Sequence, residues 1–136
     1  MNYLLDTNVC IALINDSSSK VRARFVQATR AKATVATCSI VAHELWYGVA
    51  KSHQVEHNAR ALAAFLGSKV MLYDYSEQDA RAAGEIRAEL ERQGQRIGEY
   101  DTLIAGQAFS RNLILVTANT REFGRVEGLV VEDWTV

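Results

Sequence analysis

Along the chain, short runs of consecutive apolar residues alternate with longer stretches in which apolar residues recur every three or four positions. The runs are Tyr3-Leu4-Leu5, Thr34-Val35-Ala36-Thr37, Val70-Met71-Leu72-Tyr73 and Leu113-Ile114-Leu115-Val116, with a fifth at Leu129-Val130-Val131. Their apolar residues do not skip every second place, which is the pattern of strands covered on both faces. Between them, Val55, Ala59, Leu62 and Leu66 keep helical spacing, and so do Ala83, Ile86 and Leu90. Ser76, with Asp79 three residues later, predicts a capping box at the start of the second of these helices. Thr7 or Asn8 is expected to cap the helix after Asp6, and Ser39 the helix that carries Glu44. Asn112 falls where a left-handed helix end is expected. The alternation predicts an α/β fold with a helix-covered, mainly parallel sheet of four to five strands.

A length of 136 residues suits one domain over 1–136. The chain has no Pro, no low-complexity tract and no repeat, and 49% of it is hydrophobic against 23% charged, an ordinary globular balance. No apolar run approaches the ~18 residues of a membrane span. The N-terminus lacks a basic segment and meets Asp6 too soon for a signal peptide, so a cytoplasmic location is expected. Cys10 and Cys38 lie among apolar neighbours and read as buried small hydrophobes. His43, His53 and His57 show no metal-ligand spacing. A formal net charge of −1 argues against a protein that coats nucleic acid. It leaves room for a nuclease, whose centre is acidic.

Sites in open parallel sheets form beyond the carboxyl ends of the strands. Asp6 directly follows the first strand, Glu44 lies one turn into the helix after the second, and Thr117 and Asn119 follow the fourth. Asp101 begins the helix that precedes the fourth strand, so topology alone places it less firmly. Each acid has a plainer reading: Asp6 as a helix cap, Glu44 as a solvated charge, Asp101 as a first-turn acid facing the helix dipole. Together they describe a carboxylate cluster. Two such charges ~4 Å apart repel by about 4 kcal/mol at an effective dielectric near 20, so the cluster calls for a cation. All-oxygen ligands favour Mg²⁺, with Mn²⁺ able to substitute. A metal there polarises a phosphate and acidifies a water, and a free carboxylate takes the water's proton. The basic side is mostly Arg, which suits bidentate phosphate contacts better than Lys does. Trp46, Tyr47 and Tyr100 are expected in a core or a dimer interface, and Gly48 at a close backbone approach.

The segments LLDTNVCIALI, AHELWYG, IGEYDTLIAGQA and LILVTANTREF, ending in EDW, resemble the PIN-domain nucleases, in particular the VapC toxins of bacterial toxin–antitoxin pairs. The likeness runs from Met1 to Trp134 in the family's order, a far more specific signal than any one motif. It implies a PIN-like three-layer α/β/α fold and a Mg²⁺-dependent endoribonuclease with Asp6, Glu44 and Asp101 as metal-binding acids. It puts the fourth catalytic position at Asn119, where many PIN domains carry Asp, and gives Thr117 a role in positioning Asp6 or a water. Glu99 stands where close relatives often have Pro, which leaves room for an auxiliary acidic role, and the resemblance makes Arg87, Arg92, Arg96 and Arg121 candidates for holding flanking phosphates. The resemblance also implies a homodimer, and a VapB-type antitoxin that inserts a C-terminal segment into the acidic groove and alone mediates contact with operator DNA. The substrate it implies is structured RNA cut in an exposed loop, with initiator tRNA foremost. Two other readings stay open: a degenerate PIN fold that only binds partners, and an aspartate-nucleophile phosphohydrolase. The second needs another Asp two positions after Asp6, where this chain has Asn8.

Overall fold

A computed structural model describes residues 1–136. Five strands, β1 (Asn2–Leu5), β2 (Thr34–Cys38), β3 (Met71–Tyr73), β4 (Ile114–Val116) and β5 (Val131–Glu132), form one sheet in the order β3-β2-β1-β4-β5. Every pairing is parallel, with Leu4 opposite both Ala36 and Leu115. The helices are α1 (Thr7–Asn15), α2 (Ser19–Arg30), α3 (Ser39–Ala50), α4 (Val55–Leu66), α5 (Glu77–Arg92), α6 (Glu99–Ser110) and the short α7 (Thr120–Phe123). Right-handed crossovers put α1–α4 on one face and α5 and α6 on the other, the three layers the sequence pattern called for. None of the helices is long and apolar enough to cross a membrane.

Burial on both faces explains the unbroken apolar runs. Leu4, Leu5, Ala36, Leu115 and Val116 are fully buried, as are Ile104, Ala105 and Ala108 on the inner side of α6. Cys10 and Cys38 are buried free thiols. At the C-terminus Trp134 packs edge-on against Tyr3, and its indole N–H donates to Glu132, which Arg24 also pairs with at 3.0 Å.

Local expectations fared unevenly. The capping box forms: the Asp79 N–H donates to Ser76 Oγ and the Ser76 N–H to the Asp79 carboxylate. Asn112 takes the left-handed conformation, φ 54°. The helix after β1, however, is capped by Asp6 itself, not by Thr7 or Asn8, because an extended backbone at Asp6 lets Oδ1 accept the Val9 N–H at 3.0 Å. Ser39 does not cap α3; Cys38 holds that place, and the Ser39 hydroxyl donates across to the Tyr73 carbonyl of β3. Nor does Gly48 allow a close approach, since it faces open space.

The close approach occurs at Gly106. A Cβ there would lie 2.5 Å from the Ala83 Cβ, which is how α5 and α6 come into contact. Gly106→Ala is therefore expected to cost about 1–3 kcal/mol by overpacking. Urea unfolding reads this directly, and an unchanged midpoint would contradict the tight α5–α6 contact.

Candidate active site

The connection reverses direction around β1. The chain passes from β1 out to β2 and β3, then returns across the other face to β4 on the far side of β1. The crevice beyond the ends of β1 and β4 is the switch point where such sheets build sites. Asp6 lies in it, its N–H continuing the ladder to the Val116 carbonyl at 3.1 Å. Its carboxyl is 7% exposed. Burial raises its pKa, hydrogen bonds from the Thr117 hydroxyl and the Val9 N–H offset part of this, and the charge of Glu44 adds to the rise. Thr117 is fully buried and also accepts the Asn119 N–H at 3.0 Å.

Glu44 arrives from α3, and the Thr7 hydroxyl donates to its Oε1 at 2.8 Å, tying α1 to α3. Asp101 sits in the first turn of α6. That helix runs down into β4, so its start is at the carboxyl end of the sheet, which resolves the one placement that topology left open. Burial pushes the Asp101 carboxyl up to about 6, with further contributions from the charges of Glu122, Glu44 and Asp6 in that order. Four acids thus share one field.

Glu122 was missed in the sequence. It stands on α7, and Asn119, one position before that helix, donates its amide to Glu122 at 3.1 Å. Asn119, the fourth position of the sequence reading, thus holds an acid whose charge acts on Asp101. The signal was available: an acid within the first turn after β4 lies at the same sheet end as Asp6.

The four candidate arginines are not placed alike. Arg87 pairs with Glu91 at 3.2 Å, Arg92 with Glu89 at 3.1 Å, and Arg96 reaches Glu91 at 3.8 Å. Arg87 and Arg96 line a cavity of about 300 Å³ between α5 and α6 together with Glu99, Thr102 and Leu103. A helix turns ~100° per residue, so that side of α6 is the one turned away from Asp101. Arg121, next to Glu122 on α7, is in no ion pair.

Around the acids lie two further surfaces. A groove of about 300 Å³ includes Glu44 in its wall and has both apolar lining, from Ile11, Ile14, Leu45 and Val49, and polar lining, from Asn15, His57 and Asn58. On the other side of Glu44, the outer stripe of α3 carries His43, Trp46, Tyr47 and Ala50, all exposed. Tyr100 joins it, its hydroxyl 3.4 Å from His43 Nε2. These aromatics are not core.

The fold and the site define a PIN domain, and the PIN-domain family model matches residues 3–129. The chain is 43% identical to the tRNA(fMet)-specific endonuclease VapC of Shigella flexneri over 99% of both chains. It is 40% identical to Ribonuclease VapC2 of Rickettsia felis over 98% of both. The solved structure of VapBC2 from Rickettsia felis, bound to a fragment of promoter DNA, superposes with a TM-score of 0.92, covering 98% of this chain and 99% of that one at 40% identity. DNA-bound VapBC from Salmonella typhimurium gives 0.89 at 42% identity over 98% of both chains. The chain belongs to the VapC ribonucleases of the PIN-domain family.

Proposed function

We propose that this protein is a Mg²⁺-dependent endoribonuclease that cuts tRNA, initiator tRNA foremost, as the toxin of a toxin–antitoxin pair. The observation that carries the reading is the convergence of Asp6, Glu44, Asp101 and Glu122 on one crevice, registered in the raised pKa of Asp101. No three of these side chains are drawn to ligating distance of a common point. That suits Mg²⁺, which keeps several waters and takes only one or two protein carboxylates directly. The donor set is all oxygen, and the acids repel one another without a cation, so the residues fit the ion.

Asp6, Glu44 and Asp101 would hold it, one or two of them directly and the rest through its waters, with Glu122 at the rim. The bound ion supplies Lewis-acid polarisation of a phosphate oxygen and acidifies a water. Thr117 orients Asp6, Thr7 orients Glu44 and Asn119 orients Glu122. A carboxylate of the cluster left free of the ion would take the proton of the attacking water. Arg121 is the arginine nearest the acids along the chain and supports a role on a flanking phosphate. The assigned roles of Arg87, Arg92 and Arg96 require them to leave their glutamates.

The groove with Glu44 in its wall suits the antitoxin's C-terminal segment. The exposed aromatic stripe of α3 with Tyr100 supports a homodimer, since a helix apolar on both sides is rarely left in water. A cytoplasmic location accords with a tRNA substrate. The test is cleavage of purified tRNA with Mg²⁺, with chelator, and by Asp6→Asn. Cleavage by the wild type alone and only with metal is expected. Equal cutting by the variant, or cutting that persists in chelator, would remove the assignment.

A further inference from the structure

Charge is unevenly distributed along the chain. Between Asp16 and Glu44 there is no acidic residue, yet that stretch carries Lys20, Arg22, Arg24, Arg30 and Lys32 out of 15 Lys and Arg in all. Most of it is α2. Arg24 is committed to the fold through Glu132 and the face of Trp134. Arg22 reaches Asp16 at 3.6 Å, but both are largely exposed, and such a pair holds its partners weakly. Lys20, Arg30 and Lys32 are exposed and in no ion pair. On α5, Arg81, Arg87 and Arg92 each have a glutamate three or four residues away that offsets the local charge, which α2 lacks.

The face of α2 is also the wrong kind for a protein partner. Asp16, Ser19, Arg22, Ala23, Val26, Gln27 and Arg30 line a shallow groove along it, in which Asp16 is the one acid against two arginines. No exposed large apolar side chain occurs between Ile11 and Trp46. Protein interfaces are anchored by buried aromatic and aliphatic groups at their centre, whereas a phosphate backbone needs only cations. Twelve residues of helix span about 18 Å, so cations at both ends reach phosphates several nucleotides apart. Because α2 leads into β2, its C-terminal end is at the sheet edge opposite the acids.

We propose that the outer face of α2, through Lys20, Arg22, Arg30 and Lys32, is a second contact surface for the phosphate backbone of the folded RNA substrate, away from the cleavage centre. The proposal rests on the reading of the protein as an RNA nuclease. It gives that nuclease a way to favour a large folded RNA over a short strand carrying the same loop.

The test compares wild type with Lys20→Gln/Arg30→Gln/Lys32→Gln and with a charge-matched control, Arg60→Gln/Lys69→Gln/Arg81→Gln. On intact tRNA the α2 variant is expected to raise KM about tenfold with kcat unchanged, and to flatten the dependence of log KM on log salt by about two to three. On a short stem-loop bearing the cleavage site, both constants should match wild type. An unchanged KM and salt slope on tRNA overturns the proposal, as does an equal rise in the control or an equal loss on the stem-loop. Fluorescence anisotropy of labelled tRNA in chelator separates binding from catalysis. If the wild type binds tRNA but cuts none, the catalytic reading fails alone, and tenfold weaker binding by the α2 variant still supports this surface. Unaltered tRNA binding with lost affinity for a poly-glutamate peptide would give the face to an acidic protein and overturn the proposal.

Discussion

Asp101→Asn is expected to abolish RNA cleavage and, in the same preparation, to make the metal-free protein more stable than wild type. Loss of at least about a hundredfold in kcat follows from removing a carboxylate that binds the ion or takes the proton. The gain in stability comes from the same group. Its pKa is raised to about 6 by burial and by Glu122, Glu44 and Asp6. A raised carboxyl pKa means that the folded chain prefers the neutral form. Its contribution to stability is fully present below the unfolded value near 4 and is lost as pH rises through about 6. At pH 7.5 in chelator the charge is a burden that Asn removes. After allowance for partial solvent screening, the difference is about 1–2 kcal/mol, or a rise of about 5 °C in Tm. Adding Mg²⁺ should reverse the order, because the wild type gains stability from the ion and the variant gains less. A variant that melts below wild type in chelator would show that Asp101 is a structural acid, and the electrostatic account of the site would fall with it.

The second large effect is expected at Asp79, whose acidity is shifted the other way. It is buried beneath α6, and its carboxylate accepts from the Ser76 N–H, the Gln107 amide, the Ser110 hydroxyl and the Arg111 guanidinium at 2.7–3.2 Å. Burial alone would raise its pKa, but Arg111, Ser76 and Ser110 outweigh burial and bring it down to about 2. Arg111 also donates to the Asp74 carbonyl and lies 4.8 Å over the Tyr73 ring, so the acid ties α5 and α6 to the end of β3. Removing it takes the acceptor from the Ser76 N–H and the Ser110 hydroxyl and leaves Arg111 and Gln107 only the Asp74 carbonyl. Asp79→Ala is expected to cost about 3–5 kcal/mol, read as a fall in the urea midpoint. The depressed pKa contributes about 2 kcal/mol of stability that is present above pH 4 and lost as pH falls through about 2. Wild type should therefore lose stability over that window, and the variant should show a shallower loss. Equal slopes for the two would mean that Asp79 is not the group that titrates. Its window is separate from that of Asp101, so the two groups can be resolved in one pH series.

Much of the site was legible because its members follow strands. Asp6 comes directly after an apolar run, Thr117 after another, and a motif set in family order named Glu44 and Asp101 as well. Glu122 escaped because attention went to Asn119, although an acid in the first turn after β4 was there to be read. The capping errors have another cause. Thr7 and Ser39 have the chemistry of caps, but Glu44 and the Tyr73 carbonyl, distant in sequence, compete for their hydroxyls. The arginines of α5 looked free for phosphate until the helix paired each with a glutamate three or four residues away, a local effect that the i,i+4 spacing already contained.

By itself, the order of residues determined the parallel α/β architecture, the strand positions to within a few residues and the identity of three of the four acids. Those features depend on apolar periodicity and on short-range spacing, which a linear chain carries in full. Only the tertiary structure decided which sheet end Asp101 joins, that Glu122 completes the cluster, that Asp79 and Arg111 clamp α5 and α6 to β3, and which cations remain unpaired. Each of these depends on groups brought together across dozens of residues, and on the burial that sets their charge.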